Sequence, residues 1–225
     1  AEYGMWYHVD GAFGALAYMS PDLRPLLKGM ERADSLAFDL HKWVYVPFEA
    51  GCILVRNREA HLQTFTLHPA YLQHAGRGTA GGPLWFSDYG VQLSRGFRAL
   101  KVWMALKSFG ADKIGRIIRQ NVEQARYLGR LVEKSSQLEL LAPVSLNIVC
   151  FRFTSPGCAP GDLDQINEEI LLRIQESGFA VPSGTLLQGR YALRVANTNH
   201  RSRREDFRLL AECVVSTGNN ILAER

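Results

Sequence analysis

Two short segments of the sequence each carry a charged residue at the end of an apolar run, and this feature most constrains the fold. The first run, Met5 to Val9, stops at Asp10, and the second, Ser35 to Phe38, is followed closely by Lys42. Such runs are typical of strands covered on both faces in parallel α/β sheets. Because ligands bind at the carboxyl ends of the strands in these sheets, we expect Asp10 and Lys42 to project into one cleft.

The remainder of the chain alternates helical and strand-like patterns. Apolar residues recur at helical spacing between residues 112 and 134, and similar helices are expected over 93–109, 162–177 and 203–216. Further strands are expected over 52–55, 145–153, 179–181 and 191–195. The last part of the chain therefore indicates an α+β domain.

Composition excludes several classes of protein. The 225 residues are 47% hydrophobic and 21% charged, a balance typical of globular chains, and no stretch reaches the roughly 20 apolar residues of a membrane span. The start of the sequence does not resemble a secretory signal, so we expect a cytoplasmic protein. The formal charge is +4, but the densest basic patch, residues 201–204, lacks interleaved aromatics and runs into acidic residues, which argues against a nucleic-acid partner.

A lysine and a carboxylate on strands of one sheet are the pair that a Schiff-base cofactor requires. The amine must be nucleophilic, and the pyridinium ring of the cofactor needs an anion to stay protonated. Taken singly, Asp10 before Gly11 is the kind of residue found in turns, and Lys42 after a strand is the kind found in solvent. The combination within one sheet indicates a cofactor site.

The segments His8-Val9-Asp10-Gly11-Ala12 and His41-Lys42-Trp43, in this order and separation, resemble the group II pyridoxal-phosphate-dependent amino acid decarboxylases. That family includes the aromatic amino acid, histidine and glutamate decarboxylases, and the resemblance covers essentially the whole chain. It implies an α/β fold of the aspartate aminotransferase type, fold type I. Residues 1–105 would form the carboxy-terminal half of the cofactor-binding large domain, and residues 106–225 the small α+β domain.

The resemblance implies a role for five residues around pyridoxal 5'-phosphate. Lys42 would form the internal Schiff base, Asp10 would pair with the pyridine nitrogen, and Ala12 would lie against the ring. His41 matches a position close to the cofactor and substrate, although a packed or solvated histidine is the alternative. Asp39 stands where many members have asparagine; it would either lie at the cofactor or orient His41 or Lys42.

A third match is the segment from Leu67 to His74, which resembles the family's mobile loop with its catalytic tyrosine. Tyr71 would return a proton to the substrate carbon, a task that a phenol can perform in a closed site. The alternative is an exposed loop aromatic. In this family phenylalanine at the same position is associated with aldehyde synthases, so tyrosine favours decarboxylation.

The implied function is a carboxy-lyase that converts an L-amino acid to its amine and carbon dioxide. Aromatic substrates are favoured because Trp6, Phe13, Trp43 and Phe48 lie near the motifs. The resemblance also implies a homodimer for the full-length protein, with no membrane partner. The family's phosphate-binding loop and ring-stacking histidine should precede the first strand, so the large domain is expected to be incomplete.

Three alternatives remain open at this point. The same scaffold supports aldehyde synthesis or transamination. The chain could also be a catalytically incomplete fragment that needs its amino-terminal half or acts as a binding partner. Finally, His8 and Asp10 share one face of a strand and could ligate a metal, but no third ligand has suitable spacing and the four cysteines lie far apart, so no metal is expected.

Overall fold

The computed structural model describes residues 3–66, 75–78, 81–82 and 85–225, which form two compact units. The first unit consists of Ala1–Leu16 and Leu27–Gly110, and the second of Ala17–Leu26 and Ala111–Arg225. Among the helices that these residues form, none has the length and apolarity needed to cross a membrane. The division into domains at residue 105 remains a prediction.

A three-stranded sheet organises the first unit. Its strands are β1 (His8–Asp10), β2 (Ser35–Asp39) and β3 (Gly51–Val55), in that spatial order. β1 runs parallel to β2 with Asp10 opposite Ala37, and β3 is antiparallel to β2. The carboxyl ends of β1 and β2 therefore lie at the same edge of the sheet.

The prediction of a buried strand from Met5 to Val9 was wrong in both bounds and burial. β1 begins only at His8, and the side chains of Met5 and Trp6 are 72% and 52% exposed. The physical reason is that β1 pairs with a single neighbour, β2, among the described strands. An apolar run does not reveal whether a strand is covered on one face or both.

The described part of the first unit also contains three α-helices, besides short 3-10 helices at Met30–Arg32 and Phe86–Tyr89. The α-helices are α1 (Leu40–Trp43), α2 (Arg58–Phe65) and α3 (Arg98–Phe109). Asn57 caps α2 by accepting the backbone N–H of Ala60 at 3.1 Å, as a residue at this position commonly does. α3 begins five residues later than the apolar spacing predicted and ends at Gly110, whose φ of 76° lies in the left-handed region.

The second unit is an α+β arrangement around an antiparallel sheet. Its strands are β4 (Leu138–Leu140), β5 (Ile148–Phe153), β6 (Ser183–Leu187) and β7 (Arg190–Ala196), ordered β4-β5-β7-β6. The helices α4 (Ala111–Lys134), α5 (Pro160–Glu176) and α6 (Arg204–Ala223) contact this sheet. Apolar side chains from both layers are fully buried between them, including Leu128, Val149, Phe151, Phe153, Ile166, Ile170, Leu193 and Val214.

Side chains from α5 replace part of the strand ladder in this unit. β5 and β7 pair as far as Phe151 opposite Leu193. Beyond that point the buried amide of Asn167 accepts the N–H of Phe153 at 2.7 Å and donates to its carbonyl at 2.9 Å. Asp164 accepts the N–H of Tyr191 at 2.9 Å. The backbone groups at the end of the strand pair are satisfied in this way.

Close approach explains two glycines of the second unit. A Cβ on Gly218 of α6 would lie 2.6 Å from the ring of the fully buried Phe153. A Cβ on Gly184 of β6 would collide with the hydroxyl of Tyr191. The prediction of a strand at residues 179–181 was wrong. Strand pairing starts only at Ser183, and the observed strand, β6, contains Gly184.

A charged cluster and a distant segment also belong to the second unit. Glu139 accepts hydrogen bonds from Arg152 at 2.8 Å and from Arg190 at 2.7 Å, which joins β4, β5 and β7. The segment Ala17–Leu26 lies on α4, where Asp22 pairs with Arg119 at 2.8 Å and a Cβ on Gly115 would collide with the backbone of Met19. Both contacts join parts of the chain that are far apart in sequence.

Candidate functional site

The turn after β1 holds the carboxylate of Asp10. Asp10 is the last residue of β1, and its Oδ1 accepts the backbone N–H of Ala12 at 3.0 Å. The N–H of Gly11 continues the sheet by donating to the carbonyl of Ala37 at 2.8 Å. A Cβ on Gly11 would lie 2.5 Å from the Cβ of Ala15, so glycine lets this turn pack closely. Asp10 itself is exposed at the edge of the sheet.

The one-turn helix α1 presents Lys42 directly after β2. The N–H of Leu40 donates to the carbonyl of Ala50 at 2.9 Å. The indole of Trp43 is fully buried and meets the ring of Phe13 edge-on, with centroids 5.7 Å apart. Burial of Trp43 anchors the turn, while the neighbouring Lys42 side chain stays 43% exposed.

The two segments are joined by the backbone. The N–H of Asp39 donates to the carbonyl of Ala12 at 2.5 Å. This bond extends the pairing of β1 and β2 past their last paired residues, so the turn that holds Asp10 meets the segment that leads to Lys42. The structure thus places Asp10 and the segment before Lys42 at the same edge of one sheet. That both side chains project into one cleft remains a prediction.

Asp39 forms an ion pair with Lys42. Its Oδ2 lies 2.6 Å from the Nζ of Lys42. Asp39 occupies the N-cap position of α1, yet its side chain makes no capping hydrogen bond. A Cβ on Gly51, the residue opposite Asp39 in β3, would lie 3.3 Å from its Oδ1. This contact is compatible with the expected role of Asp39 in orienting Lys42, and its role at the cofactor remains a prediction.

His41 is oriented by the chain that follows α1. Its Nδ1 accepts the backbone N–H of Ala50 at 3.1 Å, so Nε2 carries the ring proton. The ring also meets Phe48 edge-on, with centroids 5.0 Å apart. These two contacts fix the orientation of the His41 ring, and its Nε2–H is the available hydrogen-bond donor.

Ser35 is a residue of the site region that sequence reasoning missed. It is buried, and its Oγ lies 2.7 Å from both Trp6 Nε1 and His8 Nδ1. His8 and Asp10, two residues apart in β1, share the face of the sheet on which this contact forms. The sequence signal that could have identified Ser35 is its hydroxyl group at the first position of the apolar strand β2. Within the described ranges no three His, Cys, Asp or Glu side chains are grouped so that they could hold a metal ion.

Two titratable groups near the site are held neutral. Burial raises the pKa of Tyr45 far above its usual value, although a hydrogen bond with Trp43 lowers it in part. Burial likewise raises the pKa of the Cys52 thiol in β3. Neither group supplies an anion at neutral pH. The other proposed catalytic residue, Tyr71, lies outside the described residues.

An open cleft of about 630 Å³ within the first unit borders this region. Gly51 lines it, together with the aromatic rings of Phe86 and Phe97. On its polar side Glu49 accepts a hydrogen bond from Arg98 Nε at 2.7 Å. The cleft therefore offers apolar rings beside a neutralised ion pair.

The donor set fits pyridoxal phosphate. A carboxylate at the end of one strand can pair with a pyridinium nitrogen, and an accessible lysine after the adjacent parallel strand can bond to an aldehyde. Asp10 uses one oxygen for the turn, and Lys42 is accessible from solvent. His41 presents a further donor beside the lysine.

Comparison with known proteins gives consistent results over most of the chain. Residues 1–154 match the model of the pyridoxal-dependent decarboxylase conserved domain. The aromatic-L-amino-acid decarboxylase of Bacillus atrophaeus is 34% identical over 90% of this chain and 42% of its own length. A histidine decarboxylase of Drosophila melanogaster is 38% identical over 92% of this chain and 23% of its own length.

Solved structures show the same fold. The Oryza sativa protein TDC, solved with PLP and tryptamine, superposes with a TM-score of 0.86 at 28% identity, covering 98% of this chain and 46% of that protein. The tryptophan decarboxylase of Catharanthus roseus, in complex with L-tryptophan, gives a TM-score of 0.83 at 27% identity, covering 97% and 45%. The chain thus spans less than half the length of these relatives, and its fold is that of the type I pyridoxal-phosphate enzymes. It belongs to the pyridoxal-dependent decarboxylase family.

Proposed function

We propose that this chain carries the cofactor-anchoring part of a pyridoxal-phosphate-dependent L-amino acid decarboxylase. The observation that carries the proposal is the placement of Asp10 and Lys42 at the same edge of adjacent parallel strands, joined through the Asp39–Ala12 hydrogen bond. The family match supports the reaction class. The homodimer and the cytoplasmic location inferred from the resemblance remain predictions.

Each residue of the site has a defined task in this proposal. Lys42 would hold the cofactor covalently through a Schiff base, and Asp10 would accept a hydrogen bond from the pyridine nitrogen and so keep that nitrogen protonated. Ala12 would lie against the ring, and the Nε2–H of His41 would be the donor available to the substrate. When bound, the cofactor supplies an electron sink for the pair of electrons left by the departing carboxylate.

Tyr71, outside the described residues, is the proposed donor of the proton that replaces carbon dioxide on the substrate. The phenol would act from a closed loop, where water is excluded. We propose this step from the resemblance of the surrounding segment alone.

An aromatic amino acid is the proposed substrate. Relatives of this chain include aromatic-L-amino-acid, histidine and tyrosine decarboxylases, whose named substrates all carry an aromatic ring. The cleft beside the site presents Phe86 and Phe97, which could stack on such a ring. One structurally similar protein is named for L-2,4-diaminobutyrate, so this amino acid is the informative competitor in a substrate screen.

The first test is an absorbance spectrum of the chain with added pyridoxal phosphate. A band near about 420 nm that is absent from Lys42→Ala is the expected result, because a protonated Schiff base absorbs there and requires the amine. Wild-type protein showing the band is then tested for release of carbon dioxide from L-tryptophan, L-tyrosine, L-histidine and L-2,4-diaminobutyrate. An equal band in both proteins would refute Lys42 as the anchor.

A further inference from the structure

Asp39 forms an ion pair with Lys42 in place of a helix cap. An aspartate that precedes a helix ordinarily accepts a backbone N–H of the first turn. Asp39 does not do so, and its Oδ2 instead lies 2.6 Å from the Nζ of Lys42. Glycine at position 51 leaves room for the Asp39 carboxylate, because a Cβ there would lie only 3.3 Å from Asp39 Oδ1.

Covalent capture of an aldehyde imposes a proton requirement on Lys42. A lysine amine is ordinarily protonated at neutral pH, and an ammonium group has no electron pair with which to attack. A base must first accept a proton from Nζ. The oxygen of the aldehyde must later leave as water, which requires a proton donor at the same place.

Asp39 is the group in position for both transfers. Among the described residues, Glu49 accepts a hydrogen bond from Arg98, and His41 Nδ1 accepts one from the backbone of Ala50. The carboxylate of Asp39 is in direct contact with the reacting nitrogen.

We propose that Asp39 is the acid–base group for bond formation at Lys42, an inference that rests on the proposed function of the site. Asp39 accepts one proton from the ammonium, and the freed amine forms a bond to the aldehyde carbon. A second proton moves from nitrogen to the former carbonyl oxygen, and Asp39 then returns its proton as the carbon–oxygen bond breaks. Two of the three ammonium protons leave with that oxygen as water, the third stays on nitrogen, and nothing is oxidised or reduced.

The matched variant is Asp39→Asn. Asparagine keeps the size of the side chain and a hydrogen-bonding oxygen for Lys42 but cannot accept a proton from it. The two side chains have nearly the same shape, so the substitution should be compatible with the fold. Glu205→Gln, which removes an ion pair with Arg208 of the same i,i+3 spacing, controls for a general loss of charge pairing.

The measurement is the rate of capture at Lys42 rather than turnover. Protein and pyridoxal phosphate are mixed, samples are quenched with borohydride at timed intervals, and the reduced adduct on each lysine is quantified by mass spectrometry. The exposed Lys107 serves as an internal reference in every sample. We expect Asp39→Asn to slow capture at Lys42 about 100-fold, the lower end of general acid–base effects, with Lys107 and the Glu205→Gln protein unchanged.

Chemical rescue separates proton transfer from mere positioning. In Asp39→Ala, added formate should restore much of the lost rate at Lys42 in proportion to its concentration, because a free carboxylate can then occupy the vacated space. Equal capture rates in wild type and Asp39→Asn would overturn the proposal, and so would a slow Asp39→Ala protein that formate does not restore. Wild-type capture at Lys42 no faster than at Lys107 would instead count against the proposed function of the site.

Discussion

Replacement of Asn167 by alanine tests whether a side chain can stand in for a missing strand partner. In the native protein its buried amide satisfies both the N–H and the carbonyl of Phe153, at 2.7 and 2.9 Å, where β7 no longer pairs with β5. Alanine would leave both backbone groups buried without this partner. Each such group costs about 1–3 kcal/mol, so the expected loss of stability is about 2–6 kcal/mol.

The loss can be assigned to the second unit by choice of probe. All four tryptophans of the sequence lie in the first unit, so fluorescence follows that unit alone. Hydrogen exchange of α5 and β5 in urea follows the second unit, and far-ultraviolet circular dichroism gives the sum of both. The control is Asn219→Ala, which removes two exposed hydrogen bonds with Gln137, at 2.7 and 3.4 Å, and should change the unfolding free energy by less than about 0.5 kcal/mol. An Asn167→Ala loss below about 1 kcal/mol would refute the reasoning.

Two further predictions concern the second unit. Gly218→Ala should destabilise it by about 1–2 kcal/mol in urea unfolding, because overpacking against Phe153 outweighs the roughly 1 kcal/mol gain in helix propensity, whereas Gly161→Ala, with no atom within 4 Å of its new Cβ, should not be destabilising. Burial alone would raise the pKa of Glu139, but the hydrogen bonds and charges of its two arginine partners outweigh it and the net shift is downward. A carboxylate whose pKa is lower in the folded state stabilises the protein at pH values above its unfolded-state pKa, and this stabilisation is lost as the pH falls through the folded-state pKa. The stability advantage of wild type over Glu139→Gln should therefore shrink between about pH 5 and pH 3. An advantage that does not depend on pH would contradict this prediction.

Helices with strong apolar spacing could be predicted closely from the sequence. The helix expected at residues 112–134 is α4, Ala111–Lys134, because its apolar stripe is buried from Ile114 to Val132. α6 extends seven residues beyond the predicted end, where Gly218 interrupts the pattern. That glycine is required by contact with Phe153, a tertiary cause that the local sequence does not reveal.

The site region shows the same division. Asp10 at the end of β1 and Lys42 shortly after β2 could be predicted from apolar runs followed by turn residues, which are local properties of the sequence. The contacts of Ser35 with Trp6 and His8 depend on the register between β1 and β2, across 27 to 29 residues. The rotamer of Asp39 determines whether its carboxylate contacts Lys42 or caps α1, and no pattern in the sequence predicts that rotamer.

Residues 17–26 contact α4 and are synthesised well before that helix. About ninety residues separate Leu26 from Gly115 in the sequence, and ribosomes add roughly 5–20 residues per second, so this segment leaves the ribosome roughly 5–20 s before its binding helix exists. During that interval Leu23, only 2% exposed in the folded chain, lacks the rest of the second unit. The second unit therefore cannot be completed in the order in which it is translated, and a cut of the chain before α4 would separate that helix from the segment that covers it.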